Sequence, residues 1–513
     1  MRKALSKSHL CSDLEASASR FPERPAVLDP DGATLTYREL DDRANRIAGF
    51  LVEKNVRAGD RVGVVLPKTT HALSIVFGIM KARAAYVPVD WTTPIERISH
   101  ILASCQARVV FADSRLAGLE GGDWTLVPFD ASSFDAILHH KPLHGGVPGR
   151  SSDDLAHILY TSGSSGDPKG AMLTHRNLAS FVDWCAETFG GSEEDRFGNH
   201  APFNFAISVF DVFVPIKLGA SVHLVPSDLG KNPRQLARLI ADRRLTVWYS
   251  TPAILRLLAE FGELDRLDFS SLRLVLFAGE PFQIPALRRL MELWTRPAFF
   301  NLWGSTETNA CTYTAIPRPI PADRSIPYPI GRAGSHCKAS VFDESGNPVA
   351  PGQEGLLHIS GPPVFSGYWA MEASNFVVRD GIRWHNTGDV VREMEGEGFV
   401  YVGRRDRMVK RRGNRIELAE VERCLFRHPE LAEAAVIALS DSQEGKRILA
   451  VLVAKKETRP SIIELKTFCN QHLPDYMNPD DFVFASRIPR TSSNKIDYQA
   501  LIREYQEADG GEA

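Results

Sequence analysis

Tyr160-Thr161-Ser162-Gly163-Ser164-Ser165-Gly166-Asp167-Pro168-Lys169-Gly170 follows directly on an apolar run, Leu155-Ala156-His157-Ile158-Leu159. The pair predicts a strand that leaves a sheet edge through a sharp, glycine-rich turn. Closely spaced glycines let backbone N–H groups converge on one concavity. Ser and Thr hydroxyls add donors and Lys169 adds a movable positive charge, a set that suits a polyphosphate. The same composition also describes a flexible Gly/Ser surface loop. It is not the usual P-loop, because Lys169 is followed by Gly170 rather than by Ser or Thr.

Outward from this stretch, apolar runs alternate with helical periodicity. Upstream come a helix from about Leu14, a hairpin around Asp29-Pro30-Asp31-Gly32, and a helix opened by the capping box Thr36/Glu39 and running to Leu51. Then follow a strand over Arg61–Leu66, a helix through Met80 and strands at Ala84–Asp90 and Ala107–Phe111; Ser221–Val225 continues the rhythm downstream. Strands alternating with helices imply parallel β-α-β units. Phe129–Asp154, rich in Pro, Gly, Ser and His, reads as a surface connection. From about Ser340 to Tyr401, β-type alternation predicts a smaller β-rich subdomain. A boundary is expected near Arg404-Arg405-Asp406. Beyond it a helix (Ala419–Arg427), strands (Ala434–Ala438, Ile448–Val453) and a helix (Ile462–His472) form an α+β module. The expected domains are thus 1–405 and 406–513.

The chain of 513 residues is too long for one core. With 43% hydrophobic and 24% charged residues it is ordinary for a globular protein, and a net charge of −3 without a long basic run argues against a nucleic-acid binder. Cys11, Cys105, Cys185, Cys311, Cys337, Cys424 and Cys469 are scattered and never form a C-x-x-C pair. No disulfide framework or zinc site is expected from that spacing, and a reducing cytoplasm fits. No apolar run is long enough to cross a bilayer, and no secretory leader is expected at the N-terminus.

Four further stretches carry possible chemistry, each with a purely structural alternative. In Asn301-Leu302-Trp303-Gly304-Ser305-Thr306-Glu307-Thr308-Asn309 a glutamate beside two threonines offers oxygen ligands for Mg²⁺, or is a surface turn. Trp384-His385-Asn386-Thr387-Gly388-Asp389 ends in a carboxylate that either binds or merely braces a turn. Tyr401–Glu417, with Lys410-Arg411-Arg412, is a solvated basic loop or an anion-facing one. Lys495, in Pro489–Asp497, alone signals nothing. Apart from these four, the phenylalanines of His200–Asp211 line an apolar pocket or pack an ordinary core.

Together, Leu159–Gly170 and these four stretches resemble, in order and over nearly the whole chain, the motifs of adenylate-forming enzymes. These are the superfamily of acyl-CoA synthetases, luciferases and adenylation domains of nonribosomal peptide synthesis. The resemblance implies an α/β fold: a large N-terminal domain of α/β subdomains plus a β-rich subdomain, with a small mobile α+β C-terminal domain. It implies that ATP phosphates meet Thr161, Ser162, Gly163, Ser164, Ser165, Gly166 and Lys169. Thr306 then contacts the α-phosphate, Glu307 reaches Mg²⁺, Trp303 stacks on adenine, and Asp389 accepts hydrogen bonds from both ribose hydroxyls. Tyr401 and Arg404 contact the nucleotide and Asp406 is the hinge. Lys495 neutralises charge developing between carboxylate and α-phosphate. Departures are Ser305, often proline in the family, and Ser493-Asn494 where the family commonly has Asn-Gly.

The same resemblance places the acyl pocket at Ala206, Ile207, Phe210, Tyr249, Leu276, Ala278, Leu302, Ala310 and Cys311, a set similar to that of stand-alone proline-activating enzymes. Ala206 stands where amino-acid-activating relatives have an aspartate for the α-ammonium, and leaving a charge unpaired costs roughly several kcal/mol. The expectation is therefore a small carboxylic acid without a conventional α-amine contact, β-amino or amine-free, transferred to the phosphopantetheine arm of a separate carrier protein. Asp211 is the nearest acid for a displaced amine, or else is structural. The alternatives are a proline or other α-amino acid carrier-protein ligase, an acyl-CoA ligase using coenzyme A, and a silent nucleotide-binding homologue. Lys169, Glu307, Asp389 and Lys495 argue against silence.

Overall fold

The computed structural model describes residues 9–116, 118–119, 122–161, 168–372, 376–405, 407–441, 445–455, 459–490 and 496–509. The chain divides into two compact units. The larger comprises Met1–Trp91, Ile101–Tyr160 and Gly170–Gly403; the smaller comprises Thr92–His100, Thr161–Lys169 and Arg404–Ala513.

Two large sheets dominate the first unit. One has nine strands in the order Arg332–Ala333, Asn309–Ile316, Ala298–Ser305, Leu274–Ala278, Val247–Ser250, Arg196–Asn199, Ser221–Leu224, Pro25–Leu28, Thr34–Thr36. Its interior is parallel and its edges antiparallel. The other has seven strands, Gly367–Tyr368, Lys169–Thr174, Leu155–Thr161, Ala85–Pro88, Arg61–Val65, Ala107–Asp113 and Thr125–Phe129. Parallel strands buried on both faces read as continuous apolar runs, as Leu274-Val275-Leu276-Phe277-Ala278 does. Period-two alternation still divides its side chains between two cores. Leu274, Leu276 and Ala278 join the core shared with the seven-stranded sheet and with helices Tyr37–Glu53, Thr70–Lys81, His175–Phe189 and Ile207–Leu218. Val275 and Phe277 join Trp248 under helices Pro233–Asp242, Pro252–Phe261 and Ile284–Leu293. Five strands between Lys338 and Arg404 form the β-rich subdomain.

The capping box forms as read: Thr36 accepts from the Glu39 N–H, and Glu39 accepts from the Thr36 N–H at 2.8 Å. One expectation fails. Within Phe129–Asp154, Ala131–Leu138 is a helix with its own capping box, Asp130/Ser133. Phe134 and Ile137 of this short helix are buried in the core and Leu138 packs against it, too brief a periodicity to register in sequence.

In the smaller unit Leu431–Asp441 pairs antiparallel with Gly445–Ala454, which pairs parallel with Asp481–Phe484. Alternation again makes two cores. Ala434 and Val436 pack with helices Leu418–Phe426 and Ile462–His472, while Ile437 and Leu439 pack with Leu501 of the Tyr498–Asp509 helix. Arginines tie the elements together. Arg407 donates to both Glu422 oxygens at 3.0 and 2.8 Å and lies 3.4 Å over the Tyr498 ring. Arg411 is buried, paired with Asp480 and donating to the Asn478 carbonyl at 3.2 Å. Part of the basic run at 410–412 is therefore internal structure, on the hairpin Met408–Arg411/Asn414–Glu417.

Candidate active site

Ala298–Ser305 and Asn309–Ile316 form a hairpin whose tip is Thr306-Glu307-Thr308. Its geometry depends on Gly304, where a Cβ would lie 1.8 Å from the Asn309 carbonyl oxygen, and on Asn309 itself, in the left-handed region at φ 53°. Trp303 pairs with Thr312 and Gly304 with Ala310, so Cys311 is the extra residue of a bulge. Glu307 is 2% exposed, and the Tyr368 hydroxyl donates to its Oε1 at 2.7 Å. Phe365 N–H donates to the Glu307 carbonyl at 2.8 Å. Tyr368 escapes sequence reading because its strand, Gly367–Tyr368, is too short for any periodicity; the aromatic doublet Tyr368-Trp369 after a glycine is the only signal. The oxygen donors of Thr306 and Glu307 suit a hard divalent cation such as Mg²⁺.

Asp389 lies on the strand Ile382–Met394, directly after Gly388 at φ 74°. Its N–H donates to the Thr387 hydroxyl at 3.2 Å, which in turn donates to the Leu357 carbonyl at 2.8 Å. The Trp303 indole N–H donates to Asp389 Oδ2 at 3.1 Å, and both residues are buried. Two motifs far apart in sequence thus meet through one hydrogen bond. Tyr401, half-buried, packs against the same apolar cluster as Trp303.

Of the residues expected to line the acyl pocket, Tyr249, Leu276, Ala278 and Leu302 stand on parallel strands of a sheet whose strand ends are where open sheets receive ligands. Tyr249 pairs with Leu276 and Ala278 with Leu302. These four share a face and a core with Phe210 and Ala310, and Ile207 packs against that core. Phe210 meets the Tyr249 ring edge-on at 5.4 Å. Ala206 opens the Ile207–Leu218 helix and makes no capping bond; the Ser208 hydroxyl holds that turn by donating to the Phe205 carbonyl at 2.7 Å. Cys311 does not join these seven: its side chain packs with Trp303, Ile330 and Val341.

Asp211 is 1% exposed, and burial pushes its carboxyl well above the usual range against the pull of Lys68. Lys68 donates to the carbonyls of Asn199 at 3.0 Å and His200 at 2.7 Å, and burial lowers its ammonium to about 7. Asp211 therefore belongs to an internal network, which favours the structural reading of it.

Thr161 closes the Leu155–Thr161 strand and Lys169 opens the next; the Thr161 hydroxyl reaches the Lys169 carbonyl at 3.5 Å. Arg404 ends the strand Gly398–Arg404 and is half-buried. Ser162, Gly163, Ser164, Ser165, Gly166, Asp406 and Lys495 lie outside the described residues.

Residues 14–369 match the AMP-binding enzyme family and residues 420–495 its C-terminal domain, so the chain belongs to that family and is an adenylate-forming ligase. Adenylate-forming enzymes use ATP. The chain is 38% identical over 509 residues to an L-proline–[L-prolyl-carrier protein] ligase of Streptomyces coelicolor, covering 94% of both chains. It is 36% identical to a ligase of the same name from Pseudomonas fluorescens, covering 96% of this chain and 98% of that one. It shares the fold of NpsA-ThdA, an artificially fused adenylation-PCP di-domain from Klebsiella oxytoca, with a TM-score of 0.83, 26% identity and 94% coverage of each chain. The chain is thus similar to carrier-protein ligases named for proline. No described helix is long and apolar enough to cross a membrane.

Proposed function

We propose that the enzyme activates a small carboxylic acid with ATP and passes the acyl group to the phosphopantetheine thiol of a separate carrier protein. The observation that carries the nucleotide site is the Trp303–Asp389 hydrogen bond, which sets a flat ring for adenine beside a carboxylate for the ribose hydroxyls. Glu307, oriented by Tyr368, would hold the Mg²⁺ that neutralises phosphate charge, with Thr306 beside it. A substrate carboxylate oxygen attacks the α-phosphorus as its bond to pyrophosphate breaks; the carrier thiol then attacks the acyl carbon and AMP leaves. The protein's share is positioning and charge stabilisation by Thr161, the 162–166 loop, Lys169, Tyr401, Arg404 and Lys495. The working division is 1–405 and 406–513, with Asp406 as the pivot.

For the acid, the names of the relatives support proline over the β-amino or amine-free acid expected from Ala206, and the apolar set Ile207, Phe210, Tyr249, Leu276, Ala278, Leu302 and Ala310 suits a compact ring. One observation favours the second reading. Ala206 offers no carboxylate, and Asp211 is enclosed with Lys68 and Asn199. ATP-dependent pyrophosphate release across proline, other α-amino acids, β-amino acids and amine-free acids decides between them. Proline activity in the unaltered enzyme sinks the β-amino or amine-free reading. If proline is poor, Ala206→Asp should raise its kcat/KM by at least about tenfold, the equivalent of 1.4 kcal/mol. Loading assays with holo-carrier protein and with coenzyme A separate the two thiol acceptors.

A further inference from the structure

Behind the Trp303 bulge, three donor side chains converge that neither the adenylation chemistry nor the pocket uses together. Cys311 Sγ, Cys337 Sγ and a ring nitrogen of His336 all lie within 4.8 Å of one another, the one such group of metal-ligand type among the described residues. Cys311 sits in the bulge and is fully buried, while Cys337 and His336 are half-buried. The latter two close a tight turn after the edge strand Arg332–Ala333. Gly334 N–H donates to the Cys311 carbonyl at 2.8 Å, and Cys337 N–H donates to the Gly334 carbonyl at 3.2 Å. Neither thiol is in a disulfide; Cys311 Sγ lies 3.5 Å from the Thr308 carbonyl, Cys337 Sγ lies 3.3 Å from the Cys311 carbonyl and 3.7 Å from that of Gly334, and the two thiols interact with each other.

The imidazole is already oriented as a ligand would be. His336 Nε2 lies 3.1 Å from the Ala310 carbonyl, which can only accept, so the proton is on Nε2 and the lone pair on Nδ1. Nδ1 is buried and has no hydrogen-bond partner. A histidine that holds a metal through one nitrogen almost always gives its other N–H to a carbonyl or carboxylate, which fixes the tautomer. The ring is further held by stacking on Trp184, with centroids 4.4 Å apart.

We propose that Cys311, His336 and Cys337 form a binding site for one thiophilic divalent cation, of which Zn²⁺ is the type. Two thiolates and a neutral imidazole match the softness of that ion. On binding, two S–H protons are released and two S–metal bonds and one N–metal bond form, so the dication and two thiolates sum to zero charge. That neutrality suits a buried position, where uncompensated charge is costly. Half-exposed Cys337 provides the access route, and a fourth position stays open for water. Occupancy ties the Asn309–Ile316 strand to the turn that carries His336 and Cys337. The scattered cysteines concealed this in sequence because Cys311 and Cys337 are distant along the chain and only pairing of Thr312 with Ala333 brings them together.

The test uses the full chain, reduced and stripped with chelator, and titrated with Zn²⁺ and separately with Cd²⁺. The expected result is one equivalent bound, a thiolate-to-cadmium charge-transfer absorption, and a rise in the unfolding temperature that grows with free Zn²⁺, as linkage requires. Cys337→Ser and His336→Asn should each weaken binding by more than the roughly 10–100-fold that loss of an outer-shell partner costs. Cys469→Ser, in the other unit, should leave binding unchanged. Absence of stoichiometric binding overturns the proposal. So does binding that survives both Cys337→Ser and His336→Asn in variants whose circular dichroism matches the parent. Because metal binding is read directly, these outcomes do not depend on which acid the enzyme activates.

Discussion

In the large unit the sheets are covered on both faces, and an enclosed charge sits inside a ring of partners: Lys81 is fully buried, with Asp41 at 2.7 Å, Asn45 at 2.8 Å and Glu15 at 3.4 Å. In the small unit two thinner cores flank a three-stranded sheet, and Arg407, Arg411 and Arg490 bridge its elements to Glu422, Asp480 and Glu433. The difference teaches where each unit breaks. A large core tolerates the loss of one contact, whereas a small one relies on directional pairs whose partners become costly once alone.

The contrast is tested first by chemistry. Lys495→Ala should cut adenylate formation by about 10²–10³-fold, as loss of a charge-stabilising donor does, while transfer from supplied acyl-adenylate to the thiol continues. Equal loss of both steps would refute the assignment of separate roles to the two units. Next, Arg411→Met strands Asp480 and should destabilise the small unit by about 3 kcal/mol. Limited proteolysis should then cut beyond residue 404 first; simultaneous loss of both units would mean that they unfold as one. Third, Tyr368→Phe removes the hydroxyl that orients Glu307, so kcat/KM should fall roughly 10–100-fold alongside the loss of about 1.5–3 kcal/mol of stability that a hydrogen bond to a charged group contributes. A fall in stability with kcat/KM unchanged would make the Tyr368–Glu307 contact structural.

A further test is the acid sensitivity of the large unit. Burial lowers His9, His223 and His336 from 6.5 to about 4, and His157 and His200 to about 3. The unfolded chain therefore binds more protons between pH 6.5 and about 4, so stability present above pH 6.5 is lost progressively as pH falls through that window. Denaturant melts at pH 7 and pH 5 should show the large unit's midpoint falling; an unchanged midpoint would mean these imidazoles are solvated.

Much of this was legible in the residues. The parallel runs, the Thr36/Glu39 box and the small module's helices Leu418–Phe426 and Ile462–His472 follow from periodicity or a cap. The Ala131–Leu138 helix escapes for lack of length, and the helix Tyr498–Asp509 is not read from sequence either. The site was legible only as motifs. What sequence could not supply was which residues meet: that Trp303 binds Asp389 and that Tyr368 orients Glu307. That Cys311 turns away from Ala310 agrees with strand alternation, which sends adjacent residues to opposite faces; only the resemblance set both in one pocket. Lys410-Arg411-Arg412 read as one basic patch, yet Arg411 is internal, because composition does not reveal which charge finds a carboxylate.

Ala206 begins a helix that does not depend on it. Because Ser208 and the backbone hold that turn, the side chain proposed to face the acid can change without disturbing the fold. Selection for a new substrate and selection for folding then act on different residues. A lineage can exchange one acid for another in a single step, with no unstable intermediate to survive.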